Sequence, residues 1–337
     1  MRILQISSAR NLGGGETHVL ELTEALRQRG HQVVLAGRRD SAINPEIHFP
    51  FLNSVDVFTA FRLRRLLQSG RFDVVHAHVA RDYTVVAAAV CGVPNVKVVM
   101  TRHLLYPIHR HALYRRVDGW IAPTSQILKT LGPLQPKHSA VIPNWVDLNR
   151  FPYRPKTSLR QPITLGLLGQ VSPHKGHDDA VDAMRLLGSE YRLLIGGKGE
   201  PEYTESLKRR ASGLPIDFLG FVSLPDFFGM VDLLLVPSWE EPFGIVLLEA
   251  MATGIPLIAT AAGGPLDIVR PDRDGVLVPA RDPQALAAAV QRLSLNDAWR
   301  ATIVESARER IQTEFDIRKV IPQIEKFYQA LGEKRGH

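Results

Sequence analysis

Two glutamates, Glu241 and Glu249, stand with seven residues between them in the stretch Ser238 to Ala252, just after the apolar run Leu233-Leu234-Leu235-Val236. That run reads as a strand buried in a parallel sheet. Pro242 suits a first helical turn and Gly254 a helix stop, so the pattern predicts a helix over about 243–253. Nearly all of this helix is apolar and should be buried on most sides, yet Glu249 sits in its middle. A carboxylate there is costly unless it is hydrogen-bonded, and no Lys or Arg lies three or four residues away to pair with it. One reading is a glutamate at the helix edge facing water. The other is a ligand: amides at Phe243, Gly244 and Ile245 attract an anion, and a carboxylate further along can hold hydroxyls. A nucleotide-sugar carries a phosphate and hydroxyls in that order.

Other residues could serve the same chemistry. Lys175 and Gly176 open a helix after the strand Ile163 to Gly169 and the loop from Gln170 to His174. A lysine at a helix N-terminus opposes the macrodipole, so it faces water or an anion. Gly196-Gly197-Lys198-Gly199 forms a glycine loop after another strand, Tyr191 to Ile195. In the first half, the strand Arg2 to Ser7 leads through Asn11-Leu12-Gly13-Gly14-Gly15-Glu16 into an amphipathic helix that ends at Gly30. Strand, glycine loop and helix N-terminus make a phosphate-approach site, although a tight turn without a ligand has the same pattern. The dinucleotide fingerprint is not met, because His18 takes the third glycine's place, and no Lys-Ser/Thr pair completes a P-loop. His76 and His78 share one face of a strand, but no third ligand is placed, so a metal is rejected there. The strand from Lys97 ends in Arg102 and His103, at the carboxyl end where open α/β sheets bind ligands. His109, Arg110, His111, Arg115 and Arg116 follow as a basic cluster.

The segment Glu241-Pro242-Phe243-Gly244-x-x-x-x-Glu249 resembles the paired-glutamate signature of retaining glycosyltransferases of family 4. The resemblance implies a GT-B fold, α/β, with two Rossmann-like parallel-sheet domains facing across a cleft. It implies that Glu241 contacts hydroxyls of the donor sugar, that Glu249 holds the ribose, and that the amides from Phe243 to Ile245 meet the diphosphate. Gly13 to Glu16 resembles the family's Gly-Gly-Ala-Glu loop, which places Gly14 and Gly15 on the donor diphosphate and Glu16 near the acceptor, while Arg102, with the basic cluster after it, could hold an anionic acceptor or the membrane surface. His103 matches the active-site histidine beside the donor sugar, and Lys175 the lysine on the diphosphate. The turn after Ile216 to Val222 matches one whose backbone meets the base. Two departures stand out. Gln170 occupies a place where an arginine is usual, for which Lys198 would compensate, and Trp145 replaces the glycine of a Pro-Asn-Gly-Val-Asp segment.

The 337 residues suggest two domains, and 45% hydrophobic with 22% charged residues is ordinary for a globular protein. A single cysteine, Cys91, excludes a disulfide framework and reads as a buried filler. Residues 1–9 read as a strand rather than a signal peptide, and no apolar run is long enough to span a membrane, so a cytoplasmic protein is expected. Proline-rich residues 152–162 read as a linker. With that linker, the resemblance implies an acceptor-binding domain over 1–150, a nucleotide-sugar domain over 151–315 and a helix over 316–337 returning to the first domain. Charge is uneven: residues 1–150 hold 19 Lys/Arg against 10 Asp/Glu, and the remainder 22 against 24. A basic first half suits a glycan or lipid-linked anionic acceptor, or peripheral contact with an anionic membrane. The apolar-and-arginine helix over residues 55–69 could lie on such a membrane or simply pack on a sheet.

The expectation is a retaining hexosyltransferase acting on an envelope glycan, without cofactor, metal or nucleic acid. No Asp-x-Asp cluster stands at a strand end to hold a metal. A nucleotide-sugar-binding protein without turnover, suggested by Gln170, and an epimerase on the same scaffold are the alternatives. A nicotinamide-dependent oxidoreductase would need the fingerprint that both halves lack.

Overall fold

A computed structural model describes residues 1–11 and 13–331. The chain divides into two compact units: Met1–Trp145 together with the segment from Ile317, and Val146–Asp316. The units therefore part five residues before the expected boundary at 150, and residues 332–337 of the expected final helix lie outside the described residues.

The first unit is built on strands β1 (Arg2–Ser7), β2 (Gln32–Gly37), β3 (Ile47–His48), β4 (Val74–Ala77), β5 (Lys97–Thr101), β6 (Gly119–Ala122) and β7 (Ser139–Val141). They form one sheet in the order β3-β2-β1-β4-β5-β6-β7, and every pairing is parallel. Helices α1 (Gly14–Gln28), α2 (Val57–Gly70), α3 (Asp82–Ala89) and α4 (Ser125–Lys129) make its crossovers. Parallel strands need such crossovers, and the helices cover both faces, so the strands read as near-continuous apolar runs. Leu4, Ile6, Val75 and Met100 pack beneath α2 and α3 on one face. On the other, Ile3, Val74, Val99 and Ile121 pack with Leu22 and Leu26 of α1.

The second unit has strands β8 (Ile163–Leu168), β9 (Tyr191–Gly196), β10 (Ile216–Gly220), β11 (Leu233–Val236), β12 (Leu257–Thr260) and β13 (Val276–Val278). Its sheet order is β10-β9-β8-β11-β12-β13, again wholly parallel. Helices α5 (His177–Leu186), α6 (Pro201–Arg210), α7 (Leu224–Met230), α8 (Ile245–Thr253), α9 (Pro265–Ile268), α10 (Pro283–Leu295) and α11 (Asp297–Arg310) cover it. Both units are Rossmann-like, and the architecture is α/β as expected.

The last helix, α12 (Ile317–Ala330), completes the first unit. Val320, Ile321, Ile324 and Tyr328 bury against the face that carries α1. Glu325 receives Arg29 at 2.7 Å and His31 at 2.7 Å. Burial opposes its charge, but these partners prevail and hold the carboxyl below its ordinary range. The Tyr328 hydroxyl meets His76 Nδ1 at 2.7 Å, beneath the sheet.

Two helix starts differ from expectation. Helix α8 begins at Ile245 rather than 243, because Gly244 takes a left-handed conformation, φ 97°, that a helix cannot include. Pro242 therefore precedes the helix. Likewise Gly176 is left-handed at φ 70°, so α5 starts at His177 and Lys175 ends a short 3₁₀ turn before it.

Candidate active site

In each sheet the strand order reverses beside the first strand, between β1 and β4 in one unit and between β8 and β11 in the other. Loops leave the carboxyl ends in opposite directions there and open a crevice that binds ligands in folds of this type. The predicted residues collect beside these two points.

In the second unit, Lys175 follows β8 and Glu241 follows β11. Lys175 Nζ lies 2.6 Å from Glu241 Oε2, and the Ser238 hydroxyl donates to the same oxygen at 3.1 Å. Ser238 is itself held by the Thr260 hydroxyl, which donates to its carbonyl. The Glu241 side chain is only 9% exposed, so this ion pair is poorly screened. Trp239 fixes the loop from outside: its indole donates to Asp179 at 2.6 Å, and the Arg281 guanidinium lies 4.2 Å from its ring centroid.

The backbone here admits no side chains at several points. A Cβ on Gly176 would lie 2.0 Å from the Pro237 carbonyl oxygen, and one on Gly264 would lie 2.0 Å from that of Phe243. The Gly264 amide donates to the Glu241 carbonyl at 2.7 Å. The loops after β8, β11 and β12 thus pack backbone to backbone around the start of α8. Leu247 donates back to the Gly244 carbonyl at 2.9 Å, which makes Ile245 and Val246 the first helical amides. Phe243 is buried beside them, and Glu249 is half-buried one turn into α8.

The second glycine loop is stitched to the first. Gly169 donates to Gly196 at 3.0 Å, and Val171 to the Lys198 carbonyl at 2.9 Å. The Lys198 and Gln170 side chains are both exposed at this edge.

In the first unit, Gly14 and Gly15 are the first residues of α1, and nothing lies within 4 Å of a Cβ built on Gly15. Glu16 turns back to accept from the Gly13 amide at 3.0 Å, so its carboxylate caps its own helix. His103 sits at the end of β5 among other histidines. The His18 ring stacks on Trp145 with centroids 3.5 Å apart and meets His103 edge-on at 6.0 Å, while His78 lies 6.5 Å from His103. His103 Nε2 is enclosed without a hydrogen-bond partner. Burial first, and then the adjacent Arg102 charge, push its pKa down to about 4, so the ring is neutral at pH 7. Burial also holds His18, His76 and His78 well below the ordinary histidine range, helped by their mutual repulsion. Arg102 is 5% exposed, its Nε lacks a partner, and burial lowers its pKa.

His76 and His78 have protein partners: Tyr328 and Thr101 for the first, Gln5 at 2.7 Å for the second. The sequence reading missed three contributors. His18 registered only as a failed glycine position, and Trp145 only as a departure. In the structure Trp145 donates to Glu21 at 2.9 Å and roofs His18. Asp82, at the start of α3, accepts from the Ser8 amide at 2.8 Å, and burial raises its pKa to about 6. Nothing in the sequence pattern separates Asp82 from an ordinary helix-start acid.

Comparison with known proteins identifies the family and the fold. Residues 12–150 match the model described as Glycosyltransferase Family 4, and residues 150–310 that of Glycosyl transferases group 1. The chain is 30% identical to the phosphatidyl-myo-inositol mannosyltransferase of Mycobacterium leprae, over 95% of this chain and 94% of that protein. It is 28% identical to a glycogen synthase of Mycobacterium tuberculosis, over 100% of this chain and 96% of the other. The crystal structure of Anabaena HepE in complex with UDP superposes with a TM-score of 0.87 at 21% identity, covering 98% of this chain and all of that one. The chain belongs to glycosyltransferase family 4 and has the GT-B fold.

Proposed function

We propose that the protein is a retaining hexosyltransferase that takes a hexose from a nucleotide-diphosphate sugar and passes it to an envelope glycan, lipid-linked or other anionic acceptor. The observation that carries this reading is the Lys175–Glu241 pair, 2.6 Å apart beside the strand-order reversal of the second unit. A cation and a hydroxyl-binding carboxylate stand together where a ligand with a diphosphate and a sugar would enter. The UDP bound by Anabaena HepE and the lipid-linked substrate named for the Mycobacterium leprae mannosyltransferase support the two halves of the reading.

On this reading the diphosphate takes Lys175 and the amides at the start of α8, with Phe243 and Gly244 shaping the approach. Gly14 and Gly15 offer a phosphate-approach loop at the start of α1, and Glu249 holds the ribose. Glu241, relieved of Lys175, binds sugar hydroxyls. The bond from the anomeric carbon to the diphosphate oxygen breaks, and the acceptor oxygen bonds to that carbon on the same face. Its proton leaves with the diphosphate. Fixed positive groups lower the barrier by meeting charge as it develops on the leaving oxygen, without a metal ion. A neutral His103 hydrogen-bonds the sugar without repelling a cationic transition state. Glu16 and Arg102 lie toward the acceptor, and Lys198 supplies a charge where Gln170 lacks one.

The test is incubation with UDP-, GDP- and ADP-hexoses and a panel of acceptors, reading nucleotide release and the anomeric configuration of the product. Retained configuration in a new glycoside supports the proposal. Inversion would contradict it, and so would donor binding without turnover, the outcome that Gln170 favours.

A further inference from the structure

Helix α2 shows one face to the core and an apolar ridge to solvent. Leu63 and Leu67 are buried, whereas Val57 is 79%, Phe58 60% and Phe61 57% exposed. Val55 and Leu52, just before the helix, are 71% and 70% exposed. Five large apolar side chains lying together in water are unusual for a surface with no partner. The ridge borders an open hollow of about 300 Å³, walled mostly by apolar groups of α2 and α3 and closed by His111 and Leu113. The carboxylate at its edge, Asp56, is turned inward, accepting from Leu52 and Thr59 amides at 2.9 Å each. Arg64 is likewise occupied, donating to the Ala88 and Ala89 carbonyls and clamping α2 to α3.

His111 also borders a second hollow of about 530 Å³, lined by Arg110, Arg115 and Lys137 with no carboxylate among its walls. Arg62 and Arg65 are exposed on the solvent side of α2 itself. Apolar ridge, apolar hollow and cationic hollow therefore adjoin on one side of the first unit. No helix among the described residues is long and apolar enough to cross a membrane.

We propose that this face docks on an anionic phospholipid bilayer. Val57, Phe58 and Phe61 enter the headgroup–acyl boundary, and Arg110, Arg115 and Lys137 bind lipid phosphates beside them. Charge complementarity selects the occupant: the apolar ridge needs a greasy partner, and the cations beside it, of which Arg110 is held by the Pro133 carbonyl rather than by a carboxylate, need one that is also anionic. The ordinary cost of exposing this ridge is then offset whenever the protein sits on a membrane. The proposal stands apart from the donor reading, because its residues are separate from those assigned to the nucleotide-sugar.

Flotation with phosphatidylcholine vesicles, with and without phosphatidylglycerol, tests it. The wild type should float with the anionic vesicles and stay behind with the neutral ones. Arg110→Gln with Lys137→Gln should weaken binding by roughly fivefold for each charge removed. Phe58→Ser with Phe61→Ser should weaken it at least about tenfold, even at low salt. An unchanged melting temperature without ligand would show that both variants are folded. Three results would overturn the proposal: no flotation, equal flotation with neutral vesicles, or serine variants that float as the wild type does. A wild-type dimer that the serine variants convert to monomer would also overturn it, since a second copy would then cover the ridge.

Discussion

A lysine and a glutamate paired at 2.6 Å on the carboxyl side of a parallel sheet do little for stability that an apolar pair could not do. Their value on the present reading is that an incoming diphosphate competes for Lys175. Lys175→Ala should therefore lower kcat/KM about 10²–10³-fold with the fold intact. A loss smaller than tenfold in steady-state rates would remove it from the donor site. The histidines make a prediction about pH. Burial depresses His18, His76, His78 and His103, so the unfolded chain binds more protons than the folded one below the ordinary histidine pKa of about 6.5. Their contribution to stability is complete above that pH and is lost as pH falls. Asp82, raised to about 6, acts oppositely and gains stability as pH falls from 6 toward 4, but it is one group against several. Thermal unfolding followed from pH 8 to pH 5 should show Tm falling below about pH 6.5. At this scale Glu241, Glu249 and Lys175 stood out because charge among apolar or glycine-rich sequence is conspicuous, and His103 because it follows a strand end and matches a family position. His18 and Trp145 were not, since their meaning lies in a stack between residues 127 positions apart.

The elements were legible wherever a long apolar run or a capped helix announced them. Asp56, Thr124, Asp282 and Asn296 each accept a backbone amide at a helix start. Strands β7 and β13 escaped because each is only three residues long, too short to show a period in the sequence. The helix starts at α5 and α8 were misjudged because a left-handed glycine is indistinguishable in sequence from a helical one. Glycine substitutions separate packing from ligand approach. Gly264→Ala should lower stability by more than about 1 kcal/mol, since its Cβ would meet the Phe243 carbonyl at 2.0 Å with no flexible side chain to yield. Gly15→Ala has open space around its Cβ, so thermal melting should show stability unchanged or raised. Its transfer rate should nevertheless fall, because that space is where the diphosphate would approach. Unaltered kinetics in Gly15→Ala would detach the loop from the donor.

At the scale of the molecule, the duplicated strand–helix alternation was plain in the sequence, and the two Rossmann-like units follow from it. The role of the final helix came only from family resemblance, because the contacts of α12 join residues almost three hundred positions apart, as Glu325 and His31 are. Tyr328→Phe leaves His76 Nδ1 without its partner and should cost about 1–3 kcal/mol in denaturant unfolding. An unchanged midpoint would mean that α12 is held by its apolar face alone. The central claim concerns the second unit, that it binds a nucleotide-diphosphate sugar through the segment from Glu241 to Glu249. A thermal-shift comparison of wild type and Glu249→Ala against UDP, GDP, ADP and their hexose conjugates tests it directly, because a ligand that binds only the folded state raises Tm by mass action. The account predicts a rise with one nucleotide class in the wild type and its loss in the variant. A flat response to every nucleotide, or an equal rise in both proteins, would contradict it.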